Sequence, residues 1–234
     1  MAVVNVSPYL TGGVYALTTG YRGPTNSWAG VRNATTGTGV QQSNSAIRVS
    51  AISGGRGISY NLSRLWMWAD LQTYAPNITD IELVLSTTVS PTVTFDIAIV
   101  EGSGFSNSSN STLTTSDFNN LDFATDYYGG SAPWTNAAGS QNYTLNNTAL
   151  NAANTNGKLQ VCVINEQWDY QDVDPYTGLS FDFNNYIDYA NPSKSGFKVT
   201  YNAGYGNLVN GVAATSISSV NGVATGNIST INGV

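Results

Sequence analysis

The sequence reads as all-β: a jelly-roll-like β-sandwich with an extended N-terminal arm and a short C-terminal β-repeat tail. Three observations predict this. Apolar residues recur at period two between turn clusters through the middle of the chain. Gly, Asn and Ser punctuate short apolar runs throughout, and with 11% aromatic residues the chain is too aromatic to be disordered. Finally, Asn-Gly-Val occurs three times at eleven-residue spacing, at Asn210-Gly211-Val212, Asn221-Gly222-Val223 and Asn232-Gly233-Val234.

Residues 1–57 are rich in Gly, Thr, Asn and Ser and carry only brief apolar stretches, Val14–Leu17 and Ala46–Ser50. They read as an extended arm with one or two edge strands. The sandwich is expected over residues 58–202. In its first run Leu65, Met67, Ala69 and Leu71 face one way, and Trp66, Trp68 and Asp70 the other. Ile81–Leu85 alternates similarly, and Phe95, Ile97 and Ile99 share one face of the next run. Further strands are expected over Lys158–Ile164, Leu179–Phe183 and Gly196–Tyr201. Between Ser103 and Asn156 the chain is rich in Ser, Asn and Thr, which predicts a long excursion with one short helix near Asn146–Ala153.

The tail, residues 203–234, has no charge and is too short to bury a core of its own. Asn-Gly is the strongest signal for a type I′ hairpin turn, because both central residues need positive φ. The flanking residues then become cross-strand partners: Val209 with Val212, Val220 with Val223, and Ile231 with Val234. Ser, Thr, Asn and Gly along the arms disfavour the helical alternative. A β-meander of this size calls for a partner. Asn210, Gly211, Val212, Ile217, Val220, Asn221, Gly222, Val223, Ile228, Ile231 and Val234 are therefore its expected partner-binding residues.

Charge is unevenly spread. Five arginines and no carboxylate precede Asp70, whereas all fourteen carboxylates and only three lysines lie from Asp70 onward. A positive first third can pair with the acidic body of its own chain or of a neighbour. A sparse basic set in a chain of net charge −6 argues against nucleic-acid binding. No run approaches eighteen apolar residues, so no membrane span is expected, and no signal peptide is visible at the start. Cys162, the single cysteine, reads as a buried strand residue.

The chain has no histidine, which removes the commonest general base and the triads built on it. No phosphate-binding or dinucleotide fingerprint occurs. Carboxylates alone can run glycoside hydrolysis, but Glu82, Glu101 and Glu166 are the only glutamates. The expectation is a protein that is not an enzyme, with no cofactor. The densest polar-aromatic segment, Glu166–Pro175, offers two other chemistries. Asp169, Asp172 and Asp174 supply oxygen ligands of the type a structural Ca²⁺ takes. Trp168 and Tyr170 offer a stacking platform for a glycan, as Trp66, Trp68 and Trp134 do elsewhere, although such aromatics more often form core or subunit contacts.

The order Arg64–Leu71, Ile78–Leu85, Val93–Val100, then Tyr143–Asn147, Lys158–Ile164, Leu179–Phe183 and Phe197–Tyr201 resembles DNRLRE-type and carbohydrate-binding-module-like jelly rolls. That likeness of strand pattern spans roughly residues 58 to 202. The Trp-plus-Thr-Trp segment of those families is not evident, so no binding residue carries over. The tail, with Ile217–Val223 and Ile228–Val234, resembles repeats near the ends of tailed-phage structural proteins. Together the resemblances imply a virion component made in the host cytoplasm. Its partners would be other virion subunits in a symmetric homo-oligomeric assembly, as capsid decoration or in the tail or fibre. A glycan-binding module of a fibre or surface appendage is the alternative they imply.

Overall fold

The computed structural model of the chain describes residues 1–8, 10–17, 27–41, 45–54, 57–87, 96–103, 112–134, 139–176, 183–189, 195–203, 219–220 and 223–224. Its strands are β1 Ala2–Val6, β2 Leu10–Leu17, β3 Gly39–Gln41, β4 Ser45–Gly54, β5 Gly57–Asp70, β6 Ile78–Thr87 and β7 Ile97–Gly102. They continue with β8 Leu121–Asp126, β9 Gly139–Thr144, β10 Lys158–Asn165, β11 Phe183–Tyr189, β12 Gly196–Tyr201, β13 Ser219–Val220 and β14 Val223–Ala224. Helical pieces are few: α1 Trp28–Arg32, α2 Asn147–Asn156, a 3₁₀ turn Thr115–Asn119 and a π-helical turn Glu166–Tyr170.

The strands form an all-β sandwich of two antiparallel sheets. One has four strands in the order β1-β12-β6-β9, and the other has eight, running β11-β4-β5-β10-β7-β8 with β2 and β3 joined to it through β5. The chain changes sheet at β1–β2, β5–β6, β6–β7, β8–β9, β9–β10 and β11–β12, a jelly-roll-like alternation. The fourteen-residue β5 is the spine. β2 runs along one edge of it, over Asn61 to Trp68. β4 and then β10 share the other edge, over Gly57 to Ser63 and Leu65 to Asp70.

Alternation along β5 feeds two cores instead of one core and a wet face. Leu65, Met67, Ala69 and Leu71 point between the sheets, where they meet Ile81, Leu83 and Leu85 of β6, Ile97 and Ile99 of β7, and Phe197 and Val199 of β12. Trp66 and Trp68 point the opposite way with Cys162, Ile164, Ala98 and Val100. Trp28 and Val31 of α1, Leu113, and Phe118 of the 3₁₀ turn cover them. This explains the unbroken apolar runs Ile97–Val100 in β7 and Val161–Ile164 in β10, since a stretch of strand buried on both faces has no polar side. Each fully buried large aliphatic contributes about 1.5–3 kcal/mol relative to exposure.

The N-terminal segment differs from the expected arm. β1 pairs with β12 from Ala2↔Tyr201 to Val6↔Phe197, while β2 and β4 both pair with β5. Val4 and Val6 pack on the inner core, and Val14, Ala16, Val49 and Ala51 belong to the outer one. Residues 1–57 are thus woven into both sheets. Their short apolar runs find partners far away in sequence, which local composition does not reveal. The excursion between Ser103 and Asn156 likewise holds β8 and β9 as well as the expected helix. Asn146 caps α2, its side-chain oxygen accepting from the backbone N–H of Thr148 and Ala149 at 2.9 and 3.2 Å. Gly157 closes it at φ +64°, where a Cβ would also lie 2.7 Å from Gln72 Cγ.

In the tail, β13 and β14 pair antiparallel with Val220↔Val223 and Ser219↔Ala224. The aliphatic pair expected around the middle repeat is therefore present. Asn210, Gly211, Val212, Ile217, Asn221, Gly222, Ile228, Ile231 and Val234 lie outside the described residues. Among the described residues no helix is long and apolar enough to cross a membrane.

Candidate functional site

The most concentrated polar chemistry lies on the outer side of the eight-stranded sheet. Arg64 shares the β5 face of Trp66 and Trp68 and is fully buried. Its Nε and Nη2 donate to the two carboxylate oxygens of Asp169 at 2.8 Å each. Its Nη1 donates to the Phe118 carbonyl and its Nη2 also to the Arg32 carbonyl, both at 2.8 Å. The guanidinium lies 4.2 Å from the Phe118 ring centroid, and that of Arg32 lies 4.4 Å from Phe123. Arg32 in turn donates to the Asp169 carbonyl at 2.6 Å and pairs with the Asp172 carboxylate at 3.4 Å. One buried cation thereby ties β5 to α1, the 3₁₀ turn, β8 and the π-helical turn.

The geometry overturns the calcium expectation. Asp169 is fully enclosed and bound in bidentate fashion to Arg64, Asp172 faces Arg32, and Asp174 accepts from the Tyr60 hydroxyl at 3.0 and 3.1 Å. These carboxylates are neutralised or hydrogen-bonded by protein groups, and among the described residues no three acidic, His or Cys groups converge as a metal site. Burial, then Asp174, pushes the Tyr60 phenol well above its ordinary range.

The stacking platform is corrected as well. Glu166–Tyr170 is a π-helical turn, so Trp168 and Tyr170 do not alternate with their neighbours as they would in a strand. Asn165 starts it, its side chain accepting from Trp168 N at 2.9 Å. Trp168 packs against both cores and Tyr170 against the outer one, half-buried. Trp66, Trp68 and Trp134 are all buried. The structure uses these rings for packing.

The glutamates sit on separate elements with structural partners. Glu82 on β6 accepts from Lys198 Nζ at 3.1 Å and from Asn142 Nδ2 at 2.8 Å, and the Lys198 hydrogen bond chiefly holds its carboxyl below the ordinary range. Glu166 accepts from Gln171 at 2.5 Å. Glu101 hydrogen-bonds the buried Tyr127, whose phenol burial pushes upward. Cys162 is fully enclosed, and burial raises its thiol well above the usual value, so it is not poised as a nucleophile.

Two shallow recesses lie among the described residues. One of about 350 Å³ lies over the outer face of the four-stranded sheet, between Asn5, Val84, Asn142, Gly196 and Lys198. The other, about 200 Å³, lies between Glu101, Tyr127, Asn156, Lys158 and Gln160. Gly196 is required where β1 crosses it, since a Cβ there would lie 2.5 Å from the Val6 carbonyl oxygen.

The arginine cluster was the feature that the reading of motifs missed. Its signal is Arg64 itself, a lone cation in register with two tryptophans inside the most apolar run of the chain. No family model and no curated protein matches the sequence.

Proposed function

We propose that this chain is a structural component of a tailed-phage particle, acting through protein–protein contacts as a head-decoration, tail or fibre subunit. The observation that carries this reading is the neutral Asn-Gly-Val tail, whose middle repeat pairs Val220 with Val223. A two-residue pair of strands is far below what holds together alone in water, so its ordered state belongs to a larger assembly. The resemblance of the repeats to the ends of tailed-phage structural proteins supplies the kind of assembly. The body supports the same reading, because its tryptophans stabilise the fold instead of lining an open cleft.

The test is deletion of residues 204–234 in the phage that encodes the chain, followed by quantification of the protein in purified particles. The deleted form should keep the melting transition of the body and fall at least about tenfold in copy number per particle. Unchanged incorporation would refute the reading, and so would a body that no longer folds. Tight, specific binding of one glycan by the isolated chain would put host attachment in its place.

A further inference from the structure

We infer that β1 is a self-pairing edge, joining two copies of this chain through an antiparallel β1–β1 contact centred on Val3. β1 ends the four-stranded sheet and pairs only with β12 among the described residues. Its other edge offers backbone donors and acceptors to a further strand.

Edges of soluble sheets are normally guarded by charge, proline or a bulge. The eight-stranded sheet follows that rule at β8, which carries Asp122 and Asp126 and meets β7 through a register shift. The far edge of the small sheet, β9, exposes Ser140, Asn142 and Thr144. β1 has none of these guards. Its sequence is Ala-Val-Val-Asn-Val, without charge or proline, and Val3 is 59% exposed. Among the described large apolar side chains only Met1, its neighbour but one, is more exposed.

The pattern of the strand selects both partner and register. Ala2, Val4 and Val6 face inward, Val4 and Val6 packing on the inner core, while Val3 and Asn5 face out. A register that matches inward with inward positions must pair residues whose numbers sum to an even value. Centring on Val3 places Val3 against its counterpart, and Ala2 against the partner's Val4. The exposed valines then cover each other and the inner face stays apolar across the junction. Centring on Val4 would instead set each exposed valine against an asparagine. The strand is uncharged, so a two-fold axis through it brings no like charges together. A second copy is therefore the occupant this edge fits.

The contact is small. A stable interface buries about 1,200–2,000 Å², more than one five-residue edge supplies. Free chains should pair weakly, and the contact gains weight where many copies are held side by side. The inference goes beyond the particle reading: it concerns the body, is read in free solution, and stands whichever way the tail deletion falls.

Sedimentation equilibrium of the full chain, from micromolar to near-millimolar concentration, is the test. Wild type should show a monomer–dimer equilibrium. Val3→Lys and Val3→Glu should each weaken it by at least about tenfold through like charges meeting at the axis. An equimolar mixture of the two should restore pairing, because Lys then faces Glu. Both variants should keep the wild-type melting transition, as Val3 is exposed, and a chain lacking residues 204–234 should dimerise as well as wild type. A wild type that stays monomeric overturns the inference, as does dimerisation unaffected by either charge. A mixture that stays apart, or loss of the dimer with the tail, also overturns it.

Discussion

The two faces of β5 bury comparable side chains by different means. On the inner face, Leu65, Met67, Ala69 and Leu71 pack in a cluster of aliphatic and aromatic side chains from both sheets. On the outer face Trp66 and Trp68 share their layer with a fully buried arginine, whose charge is answered by Asp169 from a turn 105 residues away. Apolar packing is tolerant: it fails by degrees as atoms are removed. A buried ion pair is conditional, because each partner is costly without the other. The sandwich proper therefore rests on graded contacts, and the layer that seals its outer side hangs on one polar junction.

Breaking that junction should have the largest effect. Arg64→Met takes the bidentate partner from buried Asp169, leaving only Arg32 at 3.8 Å, and should cost about 3–5 kcal/mol in denaturant unfolding. Adding Asp169→Leu should recover much of the loss, since removing both charges also removes the desolvation penalty. A double variant no better than the single one would show that shape, not charge balance, governs this layer. On the inner face Ile99→Val, at a fully buried site, should cost about 1 kcal/mol with no partner substitution able to restore it.

The smallest effect belongs to the wet face of the four-stranded sheet. Lys198 and Glu82 are partly exposed, so Lys198→Met should cost only about 0.2–1 kcal/mol and less in high salt. The pH dependence has a definite sign. Glu82 is held below the ordinary glutamate range in the folded chain, mainly by Lys198. Its contribution is present above that range and is lost as the pH falls through the lowered value. Acid titration of unfolding should show this loss in wild type and a flatter acid limb in Lys198→Met.

What the sequence disclosed follows the same division. The inner face was legible because alternation is local: Gly196–Tyr201 was expected as a strand with the bounds it has, and Asn146 announced α2. The outer face was not, because its key contacts join Arg64 to Asp169, Phe118 and Arg32 across long stretches of chain. Segment 166–170 was read from its residue types alone for this reason. Those types do not disclose the π turn, which the Asn165 cap and the Arg64–Asp169 pair hold in place. In the N-terminal segment only one or two edge strands of an arm were expected, since Val4 and Val14 reveal their layers only once β12 and β5 are alongside. In the tail the sequence named the Val220–Val223 pair correctly from turn chemistry alone.

Cys162 gives the eight-stranded sheet an internal clock. It stands on β10 with β5 on one side and β7 on the other, opposite Trp66 and Val100, and it is the only thiol in the chain. Its side chain faces the outer core, so a thiol-directed reagent reaches it when the covering layer of α1 and the 3₁₀ turn lifts or when those strands part. Where capping outpaces reclosing, its rate in the unmodified protein is the rate of that opening, and where reclosing is faster it reports the population of the open form.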